Sequence, residues 1–356
     1  KPDVPVERIF AGLRHTAPIH PLRDRFTYVN AGHTAAAVAA GRISGQGYLP
    51  TLRQRVLAPL GMTGTSGGAA ARDELADQAG WHVRDGDQTV AMAPHHTDNC
   101  LGSGGMVVSG LAALQWLRLH LNGGTVDGRQ VLAREALAET HRPQAVATPG
   151  KDLVSLFYPG ARMGAYALGW AVSDLEGHPL LCHSGSDHGV TAMTLLLPRA
   201  GIGIAVYANA WTGVVVPLAY ALAATLLGLP PRDWLAYFKA AGAAIAPTVP
   251  NAPEPEGPPS LPLDVYAGTY EHPADGELCI ALDPNGLGGD LRDGHGMAFT
   301  LSPLGGHGFA MHFTQMPARL TMDGWRLDFE CRNGSIASAR MHAPPGPGRD
   351  FARRQP

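Results

Sequence analysis

The chain has 356 residues, of which 45% are hydrophobic, and carries a formal net charge of −3. This length and apolar content suffice for one large domain and a smaller one. Lysine occurs only at positions 1, 151 and 239 and the arginines are scattered, so the sequence has no basic stripe for a nucleic acid backbone. It also lacks a run of about 20 apolar residues that could span a membrane. We therefore expect a globular protein with no nucleic acid partner and no membrane span.

Helical patterns dominate the first part of the chain. Residues 6–13 have helical apolar spacing, begin near Lys1 rather than after a methionine, and show no features of a signal peptide. We therefore expect the natural N-terminus to lie elsewhere. Further helices are predicted at residues 34–43, 48–57, 111–121, 133–140 and 214–229, the last as an Ala-rich buried helix.

Between these helices the apolar period changes to that of strands. Four short strands are predicted at residues 167–172, 180–183, 190–197 and 202–208, joined by turns rich in Gly, Pro and Asp. Short strands joined by such turns indicate that neighbouring strands run antiparallel. An antiparallel sheet flanked by helices is an α+β architecture.

The second half of the chain predicts a separate small domain. Residues 1–235 are expected to form the first domain and residues 236–262 a linker, because the segment 246–262 contains many prolines. Residues 263–343 predict a small all-β domain, and the Pro-, Gly- and Arg-rich residues 344–356 a disordered tail. The strand-like runs of this domain are 278–282, 299–301, 309–313, 319–322, 325–330 and 336–341.

The four cysteines form no C-x-x-C pair, which disfavours a metal or thioredoxin-type site. Cys279 and Cys331 could form a disulfide within the C-terminal region. Buried free thiols are the favoured interpretation.

Several short motifs, in order and spacing, resemble the penicillin-binding protein and class C β-lactamase superfamily over about residues 6–225. They are Tyr28-Val29-Asn30 before a small-residue helix, Gly45-Gln46-Gly47-Tyr48, residues 57–66, residues 101–109, Leu168-Gly169-Trp170, His183-Ser184-Gly185 and Ala208-Asn209. Residues 265–273 resemble a small β domain often appended to such hydrolases in bacteria. The resemblance implies a β-lactamase/transpeptidase-like α+β domain, incomplete at its N-terminus, plus a small all-β domain that caps or limits the substrate site.

The resemblance also implies a catalytic site. Members of the superfamily combine Ser-x-x-Lys, Tyr-x-Asn and Lys/His-x-Gly, and the last two elements are present here. Tyr28 would transfer the proton, Asn30 would bind the lysine and the substrate amide, and His183 would donate toward Tyr28 or a substrate carboxylate. Ser184, Gly185 and Ser186 would line the substrate and oxyanion side, with the backbone N–H of Ser186 facing the oxyanion. No cofactor and no metal are implied.

Simpler interpretations of these residues remain open. Tyr28 taken alone would be a half-buried core tyrosine, and His183 a core histidine with its hydrogen bonds satisfied. His95, His96 and Asp98 could suggest a metal, although contact with the substrate is the favoured interpretation. Residues 102–105, Gly-Ser-Gly-Gly, lack the context of a P-loop and indicate a close-packed turn beside the cleft.

The Ser-x-x-Lys element is absent from the sequence. No lysine has a serine three residues before it, and Lys151 follows Thr148 in a Pro/Gly loop. We expect an upstream segment, in the same protein or as a separate chain, to supply the nucleophile. A non-catalytic protein of the same fold and a different nucleophile are the alternatives.

With the nucleophile supplied, the resemblance implies hydrolysis of amide or ester bonds in a peptide or small-molecule substrate through an acyl-enzyme. Esterase, D-amino-acid-type peptidase and β-lactamase-like activities all belong to this class. Acyl transfer or peptide cyclisation is a third option. The resemblance makes a periplasmic or secreted location plausible, and a cytoplasmic one stays open.

Overall fold

The structure, a computed structural model, describes residues 4–94, 98–147, 164–187, 189–245, 257–292, 297–314, 324–343 and 348–354. The chain divides into two compact units, one of residues 19–245 and one that combines residues 1–18 with 246–356. The helices are α1 (Val6–Leu13), α2 (Asn30–Ser44), α3 (Tyr48–Leu52), α4 (Ala69–Asp73), α5 (Gly110–Leu121), α6 (Arg134–His141), α7 (Val215–Leu226) and α8 (Trp234–Ile245). No helix of the described ranges is both long and apolar enough to cross a bilayer.

The strands of the larger unit are β1 (Ser66–Gly67), β2 (Trp81–Asp85), β3 (Gln88–Met92), β4 (Met106–Val107), β5 (Thr125–Val126), β6 (Arg129–Gln130), β7 (Ala145–Ala147), β8 (Gly164–Tyr166), β9 (Ala171–Leu175), β10 (His178–Asp187), β11 (Val190–Leu197) and β12 (Ile202–Ala208). The central sheet has six strands in the order β12-β11-β10-β9-β8-β7. All five neighbouring pairs run antiparallel. The predicted α+β architecture is therefore confirmed.

The predicted strands at 190–197 and 202–208 coincide with β11 and β12. The predicted strand at 167–172 is wrong over residues 167–170, where a turn separates β8 from β9, and its last two residues begin β9. Gly169 has a φ of 88°, which favours glycine, and the Ala167 N–H donates to the Trp170 carbonyl at 2.7 Å. The sequence predicts a strand here because the turn lies within a run of apolar residues.

Helices pack on the sheet through two apolar cores. One contains buried residues of the central strands together with Val215, Ala219, Tyr220 and Ala223 of α7. The other brings Leu117 of α5 against Leu181 and Leu196 of β10 and β11. Because adjacent residues of a strand face opposite sides, β10 contributes Cys182 to one core and Leu181 to the other. Buried on both sides, β10 is a rigid support for the residues that follow it.

The helix predicted at 48–57 changes its winding partway. It begins as α3 and continues as a π-helical turn over Arg53–Leu57, where the Ala58 N–H donates to the Arg53 carbonyl at 2.9 Å. The other predicted helices of this unit match α2, α5, α6 and α7 to within a few residues.

The smaller unit contains a closed eight-stranded barrel in the order β13 to β20. Its interior is filled with side chains, and Tyr266, Tyr270, Phe309 and Phe351 are fully buried there. The predicted small all-β domain is therefore present. Its strands are β13 (Gly268–His272), β14 (Gly276–Asp283), β15 (Gly286–Leu291), β16 (Met297–Gly305), β17 (Gly308–Phe313), β18 (Arg326–Arg332), β19 (Ser335–His342) and β20 (Arg349–Arg353). The predicted strand at 319–322 lies outside the described residues.

The predicted disordered tail 344–356 is wrong in its central part. β20 pairs with β13 and β19 and so closes the barrel. Phe351 is buried in the core, and the Arg353 guanidinium donates to the carbonyls of Val265, Ile336 and Ala267. The burial of Phe351 and the hydrogen bonds of Arg353 hold this segment as a strand, although its composition is typical of disorder.

Two further domain expectations need correction. The linker predicted from residue 236 is wrong over its first part, because residues up to 245 belong to α8, whose Trp234 ring lies 5.6 Å from the buried Tyr220 ring. Residues 246–256 of that linker lie outside the described residues. Residues 1–18, predicted within the first domain, group with the barrel unit, where a Cβ on buried Gly12 would lie 3.1 Å from the Ala274 Cα.

All four cysteines are free thiols, so the disulfide alternative for Cys279 and Cys331 is wrong. Of the four, Cys182 is buried and the others are partly exposed. Burial raises the pKa of the Cys182 thiol to about 12, so it remains protonated at neutral pH.

Candidate functional site

The start of α2 places two of the predicted site residues. Tyr28 lies two residues before Asn30, which is the first residue of the helix, and both are exposed. The Thr34 hydroxyl holds this turn by donating to the Asn30 carbonyl at 3.2 Å and by pairing with the Ser103 hydroxyl at 3.2 Å. The first turn of α2 is therefore tied to the loop at residues 100–105.

Gly102 lies where that loop packs closely against α2. A Cβ at this position would lie 2.5 Å from the His33 carbonyl oxygen and 2.6 Å from the Ala37 Cβ. The loop thus contacts α2 directly, as the sequence predicted for a close-packed turn. Side chains larger than hydrogen would push the helix, and with it Tyr28, out of place.

The end of β10 supplies the other predicted residues. β9 pairs with β10 only as far as Cys182, opposite Ala171, whereas β11 pairs with β10 through Asp187. Residues 183–187 therefore extend beyond β9 while β11 holds them in register. Ser184 is partly buried, and Gly185 and Ser186 are exposed.

Five aromatic rings bring the two segments together. The Tyr28 and His183 ring centroids lie 6.1 Å apart, and Tyr166 at the end of β8 lies 5.9 Å from His183 and 6.1 Å from Tyr28. Phe26 and His33 contact Tyr166 at 4.9 and 6.4 Å. The structure thus places Tyr28 beside His183. Asn30 shares the start of α2 with this cluster.

His183 has a hydrogen-bond partner that the sequence did not suggest. Its Nε2 lies 3.0 Å from the Tyr166 hydroxyl, and its Nδ1 lies 2.5 Å from the Ser184 carbonyl oxygen. Sequence reasoning assigned donation toward Tyr28 or a substrate carboxylate instead. Tyr166 stands two residues before the Leu168-Gly169-Trp170 motif, and this proximity is the signal that could have identified it.

Burial sets the protonation of the cluster. It raises the pKa of Tyr28, and no cation among the described residues opposes that rise. Burial also raises the pKa of Tyr166, with a smaller contribution from Tyr28. The pKa of His183 is lowered by burial, in spite of the bond to the Ser184 carbonyl, and is lowered further by His33. At neutral pH both phenols are therefore protonated and His183 is neutral.

Asp98, which the sequence suggested as a possible metal ligand, has a structural role. Its carboxylate accepts a hydrogen bond from the Ala69 N–H at the start of α4, at 2.7 Å. His95 and His96 lie outside the described residues. The described ranges contain no group of three or more His, Cys, Asp or Glu side chains arranged to hold a metal.

Comparisons with known proteins agree with this architecture. Two family models match the chain: Beta-lactamase over residues 1–227 and a domain of unknown function, DUF3471, over residues 252–353. Among solved structures, the octameric penicillin-binding protein homologue from Pyrococcus abyssi superposes with a TM-score of 0.57 and 17% identity, covering 99% of this chain and 71% of that one.

Two curated fungal proteins are also similar. The unguisins hydrolase ungD of Aspergillus violaceofuscus is 25% identical over 312 residues, covering 78% of this chain and 53% of that protein. The unguisins hydrolase ungD' of Aspergillus campestris is 24% identical over 306 residues, covering 80% and 55%. The chain thus spans just over half the length of these relatives. With the β-lactamase model covering residues 1–227 and the six-stranded antiparallel sheet between helices, the chain belongs to the Beta-lactamase family.

Proposed function

We propose that the protein is a serine hydrolase that cleaves amide or ester bonds through an acyl-enzyme. The observation that carries this proposal is the 6.1 Å distance between the ring centroids of Tyr28 and His183, which begin the Tyr-x-Asn and His-x-Gly motifs of this Beta-lactamase family chain. Two similar proteins named as hydrolases support the same chemistry. Peptides and esters are the proposed substrates.

The proposed roles follow from the position of each group. Tyr28 transfers the proton between the nucleophile and the leaving group, and Asn30 positions the nucleophile's lysine partner and the substrate amide. His183 orients and polarises the site. Ser184, Gly185 and Ser186 follow it along β10, and the Ser186 N–H is the proposed oxyanion donor.

The protonation of Tyr28 indicates what the site still needs. A tyrosine serves as a base only when a nearby cation stabilises its phenolate, yet burial raises the pKa of Tyr28. A lysine from Ser-x-x-Lys would provide that cation, and residues 1–356 contain no such motif. We therefore place the nucleophile and its lysine in a segment outside these residues, in the same protein or a partner chain.

Covalent labelling tests the proposal. Residues 1–356 alone should give no adduct with a fluorophosphonate or a β-lactam, whereas the longer protein that carries Ser-x-x-Lys should be labelled once. Intact-mass measurement distinguishes the two, and the longer protein with that serine replaced by alanine is the matched control.

Each outcome of the labelling decides between the alternatives. Stoichiometric labelling of residues 1–356 alone would mean that this chain contains a different nucleophile. An unlabelled longer protein would favour a non-catalytic binding protein of the same fold. Product analysis with a competing amine or alcohol separates hydrolysis from acyl transfer.

A further inference from the structure

We propose that Tyr166 is a positioning residue that holds His183 in one tautomer, with the proton on Nδ1 and the lone pair on Nε2. The effect of this tautomer on catalysis rests on the proposed function. The tautomer itself is inferred from two hydrogen bonds. Both bonds involve His183, one at each ring nitrogen.

The bond at Nδ1 fixes where the ring proton lies. The Ser184 carbonyl oxygen can only accept, so the His183 Nδ1, at 2.5 Å, must carry a hydrogen and donate. A neutral imidazole has a single N–H, and His183 is neutral at pH 7 because burial disfavours its charged form. Nε2 is therefore left with a lone pair.

The bond at Nε2 then fixes the hydroxyl of Tyr166. Since Nε2 accepts, the Tyr166 O–H at 3.0 Å must donate to it. Tyr166 can do so because burial keeps its phenol protonated, and the short connection between β8 and β9 holds its ring in the aromatic cluster. The Nδ1–H tautomer is thus stabilised from both sides of the ring.

This assignment gives the two tyrosines different tasks. Tyr166 donates a hydrogen bond to His183, whereas Tyr28 contacts His183 through its ring and is 39% exposed. Among the described residues, His33 on α2 also faces this pair, contacts the Tyr166 ring and lowers the pKa of His183. Tyr28 is therefore the phenol available for proton transfer, and Tyr166 orients the histidine beside it.

Nitrogen NMR of the histidines tests the proposal without any activity measurement. In the chain of residues 1–356 labelled with ¹⁵N-histidine, the His183 signals are identified by their loss in His183→Gln. We expect a protonated Nδ1 and an unprotonated Nε2. In Tyr166→Phe the ratio of the two tautomers should shift toward Nε2–H by roughly tenfold, the effect of losing one neutral hydrogen bond.

Tyr28→Phe is the matched control, since its ring lies equally close to His183 and makes no hydrogen bond to it in the described structure. It should leave the tautomer ratio unchanged. A protonated Nε2 in the unaltered chain would overturn the proposal, as would a ratio that Tyr166→Phe does not change. The unaltered chain alone decides the first point even if the variant folds poorly.

In the longer protein, Tyr166→Phe should lower single-turnover acylation by roughly tenfold, again the effect of one hydrogen bond. An unaltered rate, in a variant whose tautomer ratio has shifted, would contradict the catalytic consequence. A longer protein that forms no acyl-enzyme even with Tyr166 present would contradict the proposed function, while the tautomer result would stand on its own.

Discussion

Replacing Tyr28 with phenylalanine in the protein that carries Ser-x-x-Lys is expected to lower the acylation rate by roughly 10²–10⁴-fold, the usual contribution of general acid–base catalysis. The phenylalanine ring keeps the contacts with Tyr166 and His183, both about 6 Å away. Because Tyr28 is 39% exposed, the loss of its hydroxyl should change stability little. Single-turnover acylation of a chromogenic ester or amide at matched folding measures the effect.

His183→Ala supplies the comparison. His183 orients and polarises in the proposed mechanism, so its removal should reduce acylation less than Tyr28→Phe does. A larger loss in the His183 variant would mean that the proton-transfer role belongs to the histidine. The neutral, lone-pair-bearing Nε2 described above would then be the base to consider.

How far the sequence predicts this fold depends on which interactions hold each element. The strands at 190–197 and 202–208 were predictable because each is a continuous apolar run with turns on both sides. β20 was not, because Phe351 and Arg353 stabilise it through partners distant in sequence, such as the Val265 and Ile336 carbonyls. Long-range contacts of this kind leave no local periodicity to read.

The same distinction applies to the site. Tyr28, Asn30 and His183 could be identified because they stand in short motifs whose spacing is visible in the sequence. Strand pairing brings Tyr166 into the site. Tyr166 pairs with Ala171 on β9, and Ala171 pairs with Cys182 on β10, the residue before His183. No single segment contains that information.

A pair of histidines away from these motifs connects α5 to the end of α6. The His120 Nδ1 lies 2.7 Å from the His141 Nε2, and the His120 ring packs at 4.4 Å against Trp116 and at 5.0 Å against Trp170. The bond needs one N–H and one lone pair, so it is lost when the accepting nitrogen takes up a proton. Burial, with His141 as a smaller cause, lowers the pKa of His120 to about 3.

Lowering the pH from 7 to 5 is therefore expected to destabilise this unit by about 2 kcal/mol through His120 alone. In the unfolded chain His120 takes up a proton near its ordinary pKa of about 6.5, whereas in the folded chain it stays neutral down to about pH 3. Its contribution is thus fully present above pH 6.5 and is lost progressively as the pH falls toward 3. His141, whose pKa burial also lowers, acts in the same direction.

His120→Phe tests this prediction, because phenylalanine keeps the packing against Trp116 and Trp170 but cannot titrate. His141 is partly exposed, so its released nitrogen can bind water. Urea unfolding is measured at pH 7 and pH 5, with hydrogen exchange of peptides from α5 as the probe. The free energy of unfolding should fall less between the two pH values in the variant than in the unaltered chain. His178→Asn, which removes a partly exposed histidine at the start of β10, is the control and should keep the full loss. An equal loss in His120→Phe would mean that other groups cause the acid sensitivity of this unit.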